Sequence, residues 1–168
     1  MNAKQLFALS GAAAIAGGLL RIFSAFPVIS DPVSLEWLYT TIDVLLLLGL
    51  IGIYLARAER LGFLGLASFA VGVAALSFIG GPDADPFGFS TYEQGAAALA
   101  IAMVGLSIAW LQRGERPIWA PLCWFGSVVC VGVLNFIPPI APYGFPLAGA
   151  LFGLGFVLAG ADLMRPRA

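Results

Sequence analysis

Apolar residues fill long stretches of this sequence, and the few charged residues fall mostly between them. Six stretches reach the roughly 20 residues that a helix needs to cross the hydrocarbon of a bilayer. They predict helices over residues 5–27, 34–56, 61–81, 93–112, 117–138 and 144–164. Most prolines lie in or beside the intervening connections, where a missing N–H costs least. The pattern therefore predicts an all-α fold, with residues 1–168 forming one bundle of six transmembrane helices.

The charged residues of the connections sort by sign between the two predicted sides of the membrane. One side carries all the lysine and arginine of the connections and ends, and the other carries acids alone. By the positive-inside rule, we expect a multi-pass protein of the plasma (inner) membrane with both termini in the cytoplasm. The cations are Lys4, Arg57, Arg60, Arg113, Arg116, Arg165 and Arg167, and the acids are Asp31, Glu36, Asp83, Asp85 and Glu93.

Composition excludes several classes of protein. With 61% hydrophobic and 10% charged residues and a mean hydropathy of +0.99, the chain has too few charges to cover a water-facing surface, so we expect the lipid bilayer around it. The chain has no histidine, which removes the commonest metal ligand and general base. No phosphate-binding glycine loop or basic nucleic-acid face is present, so we expect no cofactor, no metal and no nucleic-acid partner.

The sequence also repeats itself. "GLIGIYLARAER" at 49–60 matches "GLSIAWLQRGER" at 105–116, and "GLGFVLAGADLMRPR" near the carboxyl end is a fainter third copy. This predicts three consecutive helix hairpins, although short turns between membrane helices resemble one another in any case. Three hairpins in so small a chain resemble the architecture of bacterial urea and amide channels. No residue motif of those channels is present, so no site residue or substrate is carried over.

Two ionisable residues interrupt the apolar runs. Asp43 heads the stretch "TTIDVLLLLGL", and Arg21 lies near the end of the first predicted helix. The corresponding positions of the next repeat are Leu99 and Leu76, so the repeat itself does not require either charge. The two lie at similar predicted depth on helices joined by a short loop. We therefore expect Arg21 to be the partner of Asp43, with Glu36 as a competitor.

A polar stripe surrounds Asp43 on the second helix. Glu36, Tyr39, Thr40 and Asp43 are spaced at i, i+3, i+4 and i+7, which places them on one helical face. Below Asp43 the face becomes leucine, so the polar part stops halfway through the membrane. With other polar residues of the outer half, this stripe predicts an outward-facing vestibule for ligand binding or gating. The further residues are Asn135, Glu93, Tyr92 and Tyr143.

Other signals favour structural roles. Asp162 lies near Arg165, which predicts a local cap or ion pair. Aromatic residues, Trp110 among them, fall near the predicted interfaces, whereas Trp124 is predicted to lie in the core. Small residues at four-residue spacing predict close helix packing, either within the chain or with another copy or a larger complex. These small-residue faces include Ala13, Gly17, Gly149 and Gly153.

Three functions remain open from the sequence. The first is a small transporter or channel for a small solute or ion, with Arg21 and Asp43 in its outer vestibule. The second is a non-catalytic accessory or scaffold subunit of a larger membrane complex, in which the same pair is a structural clamp. The third, a membrane enzyme, is least favoured, because it would need Asp43 as its base without a histidine or a matched second carboxylate.

Overall fold

A computed structural model describes residues 3–79, 90–134 and 136–165, and within these ranges the secondary structure is entirely helical. Five helices are long and apolar enough to cross a membrane: α1, α2, α3, α4 and the segment formed by a 3₁₀ turn with α6. The remaining helix, α5, is apolar but shorter. The elements are α1 (Ala3–Ser24), α2 (Pro32–Leu55), α3 (Ala58–Ile79), α4 (Thr91–Gln112), α5 (Trp119–Leu134), the 3₁₀ turn Ala141–Tyr143 and α6 (Gly144–Leu163).

Side-chain caps fix where α2 and α4 begin. The Asp31 carboxylate accepts hydrogen bonds from the backbone N–H and the hydroxyl of Ser34, at 2.8 and 2.6 Å. At α4, the Ser90 hydroxyl accepts from the Glu93 N–H at 3.2 Å. Each cap satisfies a first-turn donor that lacks a carbonyl partner within its own helix. Both helices therefore begin about two residues earlier than the apolar pattern predicts.

Helix α5 differs most from its predicted bounds of 117–138. It begins at Trp119 and ends at Leu134, so it spans 16 residues. Pro117, the first residue of the predicted span, precedes the helix, whereas Pro121 lies in its first turn. After residue 135 the chain turns at Pro138 and Pro139, neither of which supplies the N–H that a continuing helix needs. The fifth predicted span is thus a helix of about 24 Å.

Helix α3 contains a break close to its predicted start. Gly62 has φ 65° and ψ −164°, a backbone conformation that lies outside the helical region and is accessible mainly to glycine. The residues of α3 before Gly62 form a single turn, and the helix continues from residue 63 to Ile79. The predicted start at residue 61 therefore lies next to this break.

The helices pack as the repeat predicts, with α1 against α2, α3 against α4 and α5 against α6. Extensive contact between α1 and α6 brings the first and last hairpins together. At this crossing Gly18 and Gly153 meet so closely that a Cβ atom on Gly18 would lie 2.5 Å from the Gly153 carbonyl oxygen. The contacts from α2 to α3 and from α4 to α5 are less extensive, so the first and last hairpins form one closely packed group and the middle hairpin packs less extensively beside it.

The small-residue faces, which could have packed against another copy or a larger complex, pack within the chain itself. Ala13, Gly17, Gly149 and Gly153 are all buried within the bundle. Gly17 lies against Leu45 and the other glycines lie in the α1–α6 contact. Self-association stays a prediction, but it would have to use a different surface.

Candidate functional site

The bundle has two chemically distinct ends, which we call the basic end and the acidic end. Helices α2, α4 and α6 finish at the basic end, among the exposed cations Lys4, Arg60, Arg113, Arg116 and Arg165. The acidic end carries Asp31, Glu36 and Glu93, all of them exposed. Arg21 and Asp43 lie between the two ends, on α1 and α2.

Arg21 and Asp43 lie at nearly the same depth. In the antiparallel pair α1–α2, Gly49 contacts Ala14 and Gly52 contacts Ser10. This register places Arg21 opposite residues 41–42, about 3 Å along the axis from Asp43. The prediction of matched depth on neighbouring helices is thereby consistent with the packing.

These two residues nevertheless turn to different neighbours. A Cβ atom added to Gly149 of α6 would lie 3.8 Å from Nε and Nη2 of Arg21, so the guanidinium lies beside α6. Asp43 instead lines a cavity against α3, opposite Ser77. No nitrogen–oxygen distance between Arg21 and Asp43 is 4.0 Å or less, so the expected ion pair is not closed.

The rest of the predicted vestibule is dispersed. Glu36, Tyr39 and Thr40 of α2 are exposed, and Tyr39 keeps 39% of its surface accessible. Glu93 lies in the first turn of α4, at the acidic end, where its backbone N–H completes the Ser90 cap. Asn135 lies outside the described residues. The described members therefore do not converge on one enclosed pocket with Arg21 and Asp43.

A second charged cluster lies at the basic end, and the sequence pattern does not predict it. Arg57, directly after α2, forms an ion pair with Asp162 of α6, and its side chain is only 1% exposed. The guanidinium also donates to the carbonyls of Arg116 and Ile53, at 3.2 and 3.4 Å. It lies over the Trp110 ring, 4.1 Å from the centroid, in cation–π geometry. One buried cation thus joins the ends of α2, α4 and α6.

Two outer contacts complete this cluster. The Trp110 indole N–H donates to the Glu115 carbonyl at 3.0 Å, which fixes the ring under Arg57. Glu115 also pairs with Arg60 at 3.1 Å, although the Arg60 side chain is 58% exposed. The backbone carbonyls at helix carboxyl ends carry partial negative charge, so three such ends favour a cation between them.

This cluster corrects two predictions. Asp162, which was expected to take part in a local cap or ion pair near Arg165, is bound across the bundle by Arg57. Trp110 is fully buried under that arginine rather than placed in an interfacial belt, because its indole has a partner inside the protein. The sequence repeat contains a signal that points to this cluster. Arg57 aligns with Arg113 of the second copy, and the third copy has an acid, Asp162, one residue after the position that aligns with Arg57.

The centre of the bundle is apolar and closed. Trp110, Trp124 and Phe156 pack edge to face, with ring centroids 5.9 and 5.2 Å apart. The buried hydroxyls of Ser107 and Ser127 donate to carbonyls of their own helices, at 2.7 Å each. Among the described residues we therefore find no polar route between the two ends. The layer also contains Leu46, Leu50, Ile53, Met103 and Leu106, each at most 1% exposed.

Two cavities accompany this closed core. The larger, about 310 Å³, lies between α3 and α4, and its described lining is apolar apart from Thr91 and Gln94. The smaller, about 120 Å³, is the one that Asp43 and Ser77 share between α2 and α3. No group of three metal-ligating side chains occurs among the residues that the structure covers.

In comparisons with protein-family models, curated proteins and solved structures, nothing matches this chain.

Proposed function

We propose that this protein is a non-catalytic accessory subunit of a larger membrane complex. The observation that carries this proposal is the closed apolar core. Leu46, Leu50, Trp110, Trp124 and Phe156 fill the middle of the bundle and are essentially inaccessible. A transport path needs polar groups or water along its length, and a core packed in this way offers neither. A bundle of this kind is suited to packing against other membrane segments.

The proposal includes the membrane placement. Five long apolar helices and a sixth shorter one match the thickness of a bilayer, and large apolar side chains such as Phe63 and Ile101 are widely exposed. The positive-inside rule places the basic end in the cytoplasm, with both termini on that side of the plasma membrane. Arg57 is buried at this end and is neutralised by Asp162 of the same chain, as expected for a cation that water does not reach.

Transport of a small solute or ion is the second candidate, and one observation favours it. Arg21 and Asp43 are ionisable, lie at matched depth inside the bundle and are not closed into an ion pair. Ionisable groups within a membrane are costly and frequently mark solute or proton sites. On this hypothesis the apolar core is a closed state, and Asp43 binds the solute from the acidic end.

One experiment separates the two candidates. The purified chain and its Asp43→Asn variant are reconstituted in liposomes, and proton, potassium and small-amide fluxes are measured. As an accessory subunit, the protein gives fluxes equal to those of protein-free liposomes, and Asp43→Asn changes nothing. A flux above that background which Asp43→Asn abolishes would overturn the accessory proposal in favour of transport. Glu36→Gln, an exposed acid on the same helix, is the matched control.

The accessory proposal also makes a positive prediction in the native membrane. Membranes extracted into polymer nanodiscs should contain the chain in particles of greater mass than its own 17.5 kDa with lipid. Recovery of the chain only as a single copy with lipid would contradict the proposal.

A further inference from the structure

The α2–α3 seam is the line along which the first hairpin meets the second. Its cavity of about 120 Å³ is lined by Asp43, Val44, Leu47, Leu76 and Ser77. Val44 is 53% exposed and Ser77 is exposed, so the cavity opens sideways on the outer surface of the bundle. About four waters would fill this volume, which is also enough for the end of one long side chain.

Asp43 stands in this seam without a close partner. Among the described residues, neither a hydrogen bond nor an ion pair within 4.0 Å reaches its carboxylate. Asp162 shows that the same bundle closes an acid onto an arginine where the acid serves the fold. Ser77, across the seam, donates its hydroxyl proton to the Val73 carbonyl at 2.9 Å, which leaves its oxygen able to accept. The seam thus presents acceptors and lacks a donor.

We propose that the α2–α3 seam docks a transmembrane helix of a different protein, one that carries a lysine or arginine near its middle. This rests on the proposed accessory function and names its docking surface. The partner's cation would enter the cavity and donate to the Asp43 carboxylate and the Ser77 hydroxyl. The cation must lie near the middle of the partner's helix because Asp43 lies near the middle of α2. Asp43 is 11 residues after Pro32 and 12 before Leu55, about 17 Å from either end.

A second copy of this chain fits the seam poorly. Six of its described cations, at positions 4, 57, 60, 113, 116 and 165, are at the basic end and do not reach the depth of Asp43 in a copy of the same orientation. Arg21 has the right depth, but its guanidinium lies against Gly149 inside the bundle. The described part of the chain therefore has no cation to offer a neighbouring copy at this position.

Synthetic helices provide a defined test. The full chain, with a fluorescent donor at its amino terminus, is reconstituted in phosphatidylcholine vesicles with acceptor-labelled leucine–alanine helices of about 22 residues. The helices differ at one central position, which is lysine, leucine or glutamate, and a fourth has lysine near one end. We expect the central-lysine helix to bind about 3- to 30-fold more tightly than the leucine helix, and the other two to gain nothing.

Variants assign the effect to the seam. Asp43→Asn should remove the preference for central lysine, Ser77→Ala should reduce it, and Glu36→Gln should leave it intact. Helicity measured by circular dichroism confirms that each variant is folded. The inference is overturned if the wild-type chain does not distinguish lysine from leucine, or if folded Asp43→Asn retains the full preference. Either result leaves the accessory proposal standing if the fluxes stay at background and the native particles remain large, so the two failures are distinguishable.

Discussion

Replacing Arg57 and replacing Asp162 should destabilise the protein to different extents, although the two residues form one ion pair. Both substitutions Arg57→Met and Asp162→Leu break the same ion pair, but they leave different groups behind. Asp162→Leu leaves a guanidinium that is 1% exposed, whereas Arg57→Met leaves a carboxylate that is 22% exposed and can be hydrated. We therefore expect Asp162→Leu to be the more destabilising change.

The magnitudes follow from burial. Removing one partner of a buried ion pair costs about 3–5 kcal/mol, and Asp162→Leu should lower the free energy of unfolding by an amount at the lower end of that range, because Arg57 keeps its two carbonyl acceptors and the Trp110 ring. Arg57→Met removes the cation–π contact with Trp110 and the hydrogen bonds to two carbonyls, and it leaves Asp162 partly hydrated. It should lower the free energy of unfolding by about 1–3 kcal/mol. The double variant removes both charges and should be more stable than Asp162→Leu alone, because apolar replacements of a buried pair are often neutral. This non-additivity is the signature of the pair.

Equilibrium unfolding in mixed dodecylmaltoside–SDS micelles, followed by circular dichroism, measures these differences. Arg60→Met is the matched control from the same connection, because the Arg60 side chain is 58% exposed and its pair with Glu115 should contribute at most about 1 kcal/mol. The reasoning is refuted if Arg57→Met costs more than Asp162→Leu, or if the double variant loses the sum of the two single losses.

Two further predictions concern helix packing and capping. Gly18→Ala should destabilise the bundle by about 1–3 kcal/mol, because the new Cβ would meet the Gly153 carbonyl at 2.5 Å, whereas Gly132→Ala, with no atom within 4 Å, should be neutral in the same unfolding assay. The Ser34 hydroxyl and N–H hold the pKa of Asp31 below its usual value of 3.8. The stability from this cap is therefore present above pH 3.8 and is lost as the pH falls through the lowered pKa. A carboxyl-carbon NMR titration in micelles should show a midpoint below 3.8 that rises in Ser34→Ala, and an unchanged midpoint would contradict the capping geometry.

The bundle places two pairs of oppositely charged residues in different ways. Arg57 is buried, paired with Asp162 and bound to backbone carbonyls near the ends of α2 and α4, which is the arrangement of a structural element. Arg21 and Asp43 have the same chemistry but remain apart. An acid within a bilayer is costly without a hydrogen-bond donor. Asp43, which has no close donor among the described residues, is therefore a better indication of a partner's binding site than Asp162 is.

The sequence by itself determined the all-helical character and the approximate limits of the helices. Long apolar runs have few alternatives to helices when no water is available to satisfy the backbone. The repeat of 49–60 at 105–116 predicts three hairpins; in the structure the helices of each hairpin are in contact, but the most extensive contact, between α1 and α6, joins two different hairpins. The predicted helix ends differ from the observed ones where local chemistry, which hydropathy does not measure, sets them. Examples are the Asp31 and Ser90 caps and the prolines after α5.

Only the tertiary structure decided which charges meet. Arg21 and Asp43 were expected to pair because they have similar depths on adjacent helices, and their depths do agree. Depth, however, does not fix rotation about the helix axis, and rotation directs Arg21 toward α6 and Asp43 toward α3. Arg57 and Asp162 are 105 residues apart and meet because the hairpins close α6 against α1 and α2. Partner choice in a bundle depends on helix rotation and on which hairpins become neighbours, and neither is encoded in the local pattern of any single segment.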